Sequence, residues 1–147
     1  MFMVMEKVLP HVMRNINEFN IPAGDLHGYE IMYFGVNLIL MYDYRLSFDV
    51  EVKNPAGGNI EVLIISRKDV LAWKSNGSTG HIKLHYSNRG QRINDVFKPS
   101  ISDAYAFILS NKSSSDNSNT KTVEVTLIHT WQQEIKESQL KNRINKS

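Results

Sequence analysis

Two histidines, His81 and His85, lie four residues apart in the segment HIKLH and are a candidate metal-binding pair. On a helix, side chains at this spacing share a face and could bind one ion. Here apolar and polar residues alternate, which predicts a strand, and on a strand the two residues lie about 13 Å apart. We therefore expect exposed strand histidines and no metal site.

Three acidic residues, Asp43, Asp49 and Glu51, could supply paired carboxylates for acid–base catalysis. They alternate along one polar strand face with Arg45 and Lys53. Cross-strand ion pairing on a solvated face explains this pattern without catalysis. A calcium site at one end of the fold is an alternative that would draw on a different set of oxygen ligands, but no EF-hand-like spacing supports it. The candidate ligands are Asp25, Asp49, Asn59, Asp69 and Asp103.

The chain contains no motif for nucleophilic catalysis or for phosphate binding. Cysteine is absent, and there is no Gly-x-Ser-x-Gly elbow. The glycine-containing stretches NGSTG (76–80) and SNRG (87–90) lack the Gly-Lys-Ser/Thr ending of a phosphate loop, so we interpret them as turns. We expect a protein that is not an enzyme and that holds no cofactor.

Trp73, Tyr86 and Arg89 are the best candidates for contacting a partner. Aromatic and arginine side chains on loops are typical anchors of protein interfaces. Trp73 lies in an irregular segment and Arg89 at a loop end. The alternative is that Trp73 caps the core and that Tyr86 belongs to the core or its rim.

The clearest structural signal is residues 42–52, YDYRLSFDVEV, in which every even position is apolar or aromatic. Period-two alternation over eleven residues predicts a strand with one buried face. The Pro- and Gly-containing segment 54–59 predicts a turn. Residues 60–65 return as a second strand, apolar on both faces and hence central, and we expect the two strands to form a hairpin.

The remaining chain shows the same organisation. Further strands are predicted at 13–21, 29–36, 81–87, 92–97, 104–109 and 122–131. Residues 67–74 predict a short helix, and the polar segment 110–121 predicts a protruding loop in which nothing packs. The sequence thus predicts an all-β fold, an antiparallel β-sandwich or jelly roll of about eight strands. It forms one domain at 1–131, with its core at 11–131, and a polar tail at 132–147 that is weakly helical or disordered.

The distribution of charge and hydropathy limits the classes of partner that we expect. The last sixteen residues contain four basic and two acidic side chains, which account for the whole net charge of +2, so the body is neutral. A neutral body argues against nucleic-acid binding. No apolar run approaches the roughly 20 residues that span a bilayer, and the N-terminus lacks the pattern of a signal peptide. We expect a soluble protein without an integral membrane span, located in the cytoplasm.

Five segments, in this order, resemble the GOLD (Golgi-dynamics) family of β-sandwiches, from about residue 17 to residue 131. They are FNIPAG at 19–24, the alternating strand at 44–52, GNIEVLI at 58–64, DAYAFILSN at 103–111 and KTVEVTL at 121–127. The resemblance implies a sandwich in which Tyr105 and Phe107 fill the core and Val123 and Val125 pair back across a hairpin. It also implies a protein-interaction module. The signal peptide, cysteine pair, coiled coil and membrane helix of the family's cargo receptors are not seen, so that role is not expected.

We therefore expect a non-catalytic interaction or assembly module that binds a protein partner or itself, with exposed edge strands open to strand addition. One alternative is a sandwich that binds a small ligand or carbohydrate. Another is a virion or surface structural subunit with a jelly-roll body.

Overall fold

The structure, a computed structural model, describes residues 6–24, 27–76, 82–112 and 120–136. Its strands are β1 (Glu6–Ile21), β2 (Tyr29–Val36), β3 (Tyr42–Asn54), β4 (Ile60–Ser66), β5 (Tyr86–Gly90), β6 (Arg92–Phe97), β7 (Asp103–Ser110) and β8 (Lys121–Lys136). A 3₁₀ turn (Arg67–Asp69) leads into one short helix, α1 (Val70–Asn76). The predicted helix at 67–74 is therefore confirmed.

Within the described residues, the eight strands form two antiparallel four-stranded sheets. The first has the order β1-β8-β3-β6 and the second the order β2-β7-β4-β5. Sheet order and chain order combine into the interleaved pattern of an eight-stranded jelly roll. The predicted fold class is confirmed, and β4 is a central strand as its two apolar faces indicated.

The main core lies between the sheets and follows from the alternation in β3. Leu46, Phe48 and Val50 are fully or almost fully buried, while the residues between them face solvent. Opposite them, Tyr105 and Phe107 of β7 are completely buried, and the Phe48 and Phe107 rings meet edge to face with centroids 5.2 Å apart. The resemblance placed these two β7 side chains in the core, and they are there.

A second, smaller apolar cluster covers the outer face of the second sheet. Helix α1 contributes Val70 and Trp73, which pack on the outward side chains of β4 and β7. This face is dry because a helix lies over it. The outer face of the first sheet has no such cover among the described residues.

Both predicted hairpins are wrong. Strand β3 pairs with β6 and β8, whereas β4 pairs with β5 and β7. The 54–59 turn therefore carries the chain across the core from one sheet to the other, with Gly57 at a φ of +78° that favours glycine. Likewise β7 and β8 lie in different sheets, so Val123 and Val125 are buried in the main core instead of pairing with β7. Side-chain alternation fixes which face is buried but not which strand donates the hydrogen bonds.

Three further boundaries differ from the prediction. Strand β5 begins at Tyr86, not at 81, and residue 81 lies outside the described part of the chain. Strand β8 continues to Lys136, five residues into the predicted tail, and residues 137–147 are outside the described ranges. The ends of the 110–121 loop pack closely, since Asn111 and Lys121 are completely buried; residues 113–119 are not described. The Asn111 amide donates to the Ile21 carbonyl oxygen (3.1 Å), which ties the loop to β1.

Candidate functional site: the open side between β1 and β2

Trp73, a predicted partner contact, is a core residue. Its side chain is 3% exposed, and its ring meets that of Tyr29 edge to face with centroids 5.3 Å apart. The Lys112 ammonium lies 4.4 Å above the indole, a cation–π contact. This corrects the assignment to a contact surface, because a partner could not reach the indole without moving α1.

Tyr86 and Arg89 lie on opposite faces of β5. Tyr86 packs edge to face on Phe48, and its hydroxyl donates to Asp95 (2.9 Å), which places it at the rim of the core. Arg89 is exposed on the outer face, where its guanidinium donates to Glu61 (3.3 Å). The three predicted contact residues do not converge on one surface, and a shared site for them is not present.

The acidic residues of β3 are ion-paired. Asp49 accepts from Arg92 (2.9 Å), Glu51 pairs with Lys53, and Asp43 pairs with Arg45 (3.3 Å). The hydrogen bond from Lys53 is the main cause that lowers the pKa of Glu51. Among the described residues, no cluster of three His, Cys, Asp or Glu side chains could hold a metal ion.

A polar group that the sequence did not reveal lies where β4, β5 and β7 approach one another. The Ser66 hydroxyl donates to Asp103 (2.7 Å) and lies 3.3 Å from Nε2 of His85. In a hydrolase triad the histidine stands between serine and aspartate and takes the serine proton. Here serine is central and its proton is directed at Asp103, so the order of the three groups differs from that of a triad. Ser66 is buried between its two partners.

Strand β1 is the long free edge of the first sheet. It pairs with β8 over all sixteen residues, from Glu6 opposite Lys136 to Ile21 opposite Lys121, and no other described strand pairs with its free side. Three of its apolar side chains are unusually exposed: Val12 at 69%, Met13 at 51% and Ile16 at 58%. An edge of this length presents a row of backbone donors and acceptors together with apolar surface.

Below this edge, a cleft of about 300 Å³ opens between β1 and β2. Its walls are mainly aromatic and apolar: Met13, Asn15, Tyr33, Phe34, Gly35, Met41, Tyr44, His129 and Trp131. Trp131 stacks on His11 with ring centroids 5.3 Å apart. The indole nitrogen of Trp131 and Nε2 of His11 are buried without a hydrogen-bond partner among the described residues.

At the base of the cleft, the Tyr44 hydroxyl and Nδ1 of His129 share a buried hydrogen bond. Burial lowers the pKa of His129 and is the larger cause that raises the pKa of Tyr44. Both groups are therefore neutral at pH 7, and they form the floor of the cleft beside its aromatic walls.

The sequence carried a weak signal for this edge. In β1 the apolar residues Val12 and Ile16 are even-numbered, whereas Phe19 and Ile21, which face the core, are odd-numbered. A change of phase within one strand means that apolar side chains lie on both faces. The cleft had no such signal, because its walls come from four strands and a loop.

No family model matches the chain, and no curated protein matches it. The resemblance to the GOLD family therefore stays a prediction. The fold is similar to that of a chain in a solved structure described as Bacillus endospore appendages that form a novel family of disulfide-linked pili, with a TM-score of 0.49 and 9% identity over 86% of this chain and 89% of that chain. At that distance the likeness does not indicate a function. No helix among the described residues is long and apolar enough to cross a bilayer.

Proposed function

We propose that this protein is a non-catalytic assembly module that binds another protein chain by strand addition at the β1 edge. The observation that carries the proposal is the β1 edge itself, sixteen residues long, hydrogen-bonded on one side only and exposing Val12, Met13 and Ile16. A partner strand placed there would satisfy the outward backbone groups and cover the apolar side chains. A protein-interaction role is also what the resemblance to the GOLD family implies.

Comparison with the other edges supports this choice. The free edges β2, β5 and β6 are eight, five and six residues long. Natural proteins protect exposed edges by keeping them short or by pointing charged side chains inward. Strand β1 is long, and its odd-numbered positions from 11 to 19, on the face that carries Phe19, hold His, Met, Asn, Asn and Phe, without a lysine among them. The edge therefore lacks two of the usual devices against pairing.

The test places a charge on the edge without touching the core. Ile16→Lys puts an ammonium at the centre of β1, and Val96→Lys is the matched control, since Val96 is an exposed apolar residue (46%) on β6 at the far edge of the same sheet. The tagged chain is isolated from its native host, and the mass of the complexes containing it is measured by light scattering. We expect Ile16→Lys to lose complexes that the wild type and Val96→Lys retain. Complexes that survive Ile16→Lys, or a wild type that is monomeric both in the host and when purified, would contradict the proposal.

A second candidate function is binding of a small aromatic ligand in the cleft between β1 and β2. The buried Trp131 indole N–H, with no partner among the described residues, is the specific observation in its favour, because a ligand acceptor would satisfy it. In Trp73→Phe, Trp131 is the only tryptophan and reports on the cleft. Titration with phenol, whose oxygen can accept this hydrogen bond, should shift the Trp131 fluorescence in a saturable way, with excitation at a wavelength that phenol does not absorb. An unchanged spectrum at millimolar ligand would remove this candidate.

A further inference from the structure

We infer that the chain added at the β1 edge is a second copy of this protein, paired antiparallel across a two-fold axis at Ile16. This inference rests on the proposed strand addition and names its partner. A two-fold axis that joins two free edges into one sheet stands perpendicular to that sheet, so each outward-facing residue meets another outward-facing residue. The possible registers therefore differ only in which residue of β1 lies on the axis.

Among axes at residues 14 to 18, charge selects one register. Arg14 and Glu18 face outward on β1, four residues apart, and no ion pair between described residues includes either of them. Within one strand they are separated by about 13 Å and cannot meet. With Ile16 on the axis, each Arg14 lies directly opposite Glu18 of the partner subunit, which forms two cross-strand ion pairs. An axis at Arg14 or at Glu18 sets like charges against each other, and an axis at Asn15 or Asn17 leaves both charges opposite uncharged residues.

The neighbouring strands give an independent reason for a cation beside Glu18. Glu18 lies opposite Glu124 of β8, and Glu124 lies opposite Glu51 of β3, so three carboxylates stand in a row. Glu51 is offset by Lys53 and Arg92. Like charges directly opposite each other on a sheet are destabilising. A partner's Arg14 on the free side of Glu18 would offset the charge at the end of that row.

The apolar side chains agree with the same register. Ile16, 58% exposed, meets Ile16 of the partner subunit on the axis. On the core-facing side, Met13 lies opposite the partner's Phe19, and Asn15 lies opposite the partner's Asn17. Met13 is half exposed at the mouth of the cleft, so the partner's Phe19 would cover apolar surface that is otherwise wet.

Charge reversal tests the partner and the register together. Sedimentation velocity of the purified chain should show a dimer, and Arg14→Glu should weaken it on the order of tenfold because both ion pairs become repulsive. The double variant R14E/E18R should restore dimerisation to within about threefold of wild type. Lys98→Glu, a charge reversal at an exposed residue just after β6, should change little. A dimer indifferent to Arg14→Glu, or a double variant as weak as the single one, overturns the register.

Cross-linking locates the axis directly, because the chain has no cysteine of its own. Under mild oxidation, Ile16→Cys should form a disulfide dimer with itself, while Arg14→Cys and Glu18→Cys should cross-link only when mixed with each other. Self-cross-linking of Arg14→Cys as efficient as that of Ile16→Cys would overturn the inference. If the purified chain is monomeric while Ile16→Lys abolishes a complex with a different protein, the second copy is wrong and strand addition stands. If neither complex exists, both fail.

Discussion

Replacement of Trp73 by alanine separates its role in the core from its predicted role in partner contact. The indole is almost completely buried among Val70, Ile65 and Ala106, touches Tyr29 edge to face and lies under the Lys112 ammonium. Removing a buried tryptophan of this kind costs about 3–5 kcal/mol, from lost apolar burial and the cavity that remains. For a domain whose total stability is typically about 5–15 kcal/mol, that is a large share.

The assay is urea unfolding followed by far-ultraviolet circular dichroism, which does not depend on the deleted fluorophore. The matched control is Leu71→Ala on the same helix, because Leu71 is 76% exposed and alanine is an equally good helix former. We expect the free energy of unfolding to fall by about 3–5 kcal/mol for Trp73→Ala and by less than about 0.5 kcal/mol for Leu71→Ala. A Trp73→Ala protein within about 1 kcal/mol of wild type would refute the placement of this side chain in the core.

Three further predictions concern the polar groups of the interior. Burial lowers the pKa of His129, so below about pH 6.5 the unfolded chain binds a proton more readily than the native state does. The contribution of this group to stability should be complete above that pH and should be lost as the pH falls further. His129→Gln should therefore show a smaller decrease in the urea midpoint between pH 7.5 and pH 5.5 than the wild type. Tyr44→Phe removes the hydroxyl that bonds to His129 and should cost about 1–3 kcal/mol in unfolding free energy at pH 7.5, whereas Tyr42→Phe, an exposed residue on the same strand, should cost almost nothing. Ser66→Ala should also cost about 1–3 kcal/mol in unfolding free energy, because its hydroxyl donates to Asp103. We expect it to leave any hydrolytic activity unchanged, and hydrolysis of an ester substrate that disappears with the hydroxyl would contradict this.

The sequence predicted the elements that bury a clear apolar stripe. Alternation identified β3, and the two-sided apolar run identified β4 as central, because burial by itself dictates those patterns. It did not predict that β3 and β4 belong to different sheets, since backbone pairing leaves no trace in side-chain type. The predicted bounds of β5 were wrong because its residues are mostly exposed and polar. Its extended conformation comes from pairing with β4 and leaves no apolar pattern in the sequence.

The candidate site was harder to predict than the fold. From the sequence, Trp73 could contact a partner or cap the core, and only the packing of α1 on the second sheet shows that it is buried. In the sequence, β1 showed only apolar residues at both even and odd positions. That it is an edge strand became known only from the order of strands in the sheet. A role for Arg14 and Glu18 in assembly could be inferred only from the register that places Glu18 opposite Glu124.

Amide hydrogen exchange along β1, resolved by residue, tests the central claim most directly. In an antiparallel edge strand, alternate residues direct their N–H groups to the neighbouring strand and the rest direct them outward. In dilute protein, one alternating set of amides between residues 11 and 19 should be protected and the other should exchange quickly. In concentrated protein, or in the complex isolated from the host, both sets should be protected. If the outward set exchanges equally fast in the assembled state, the β1 edge is not the contact surface.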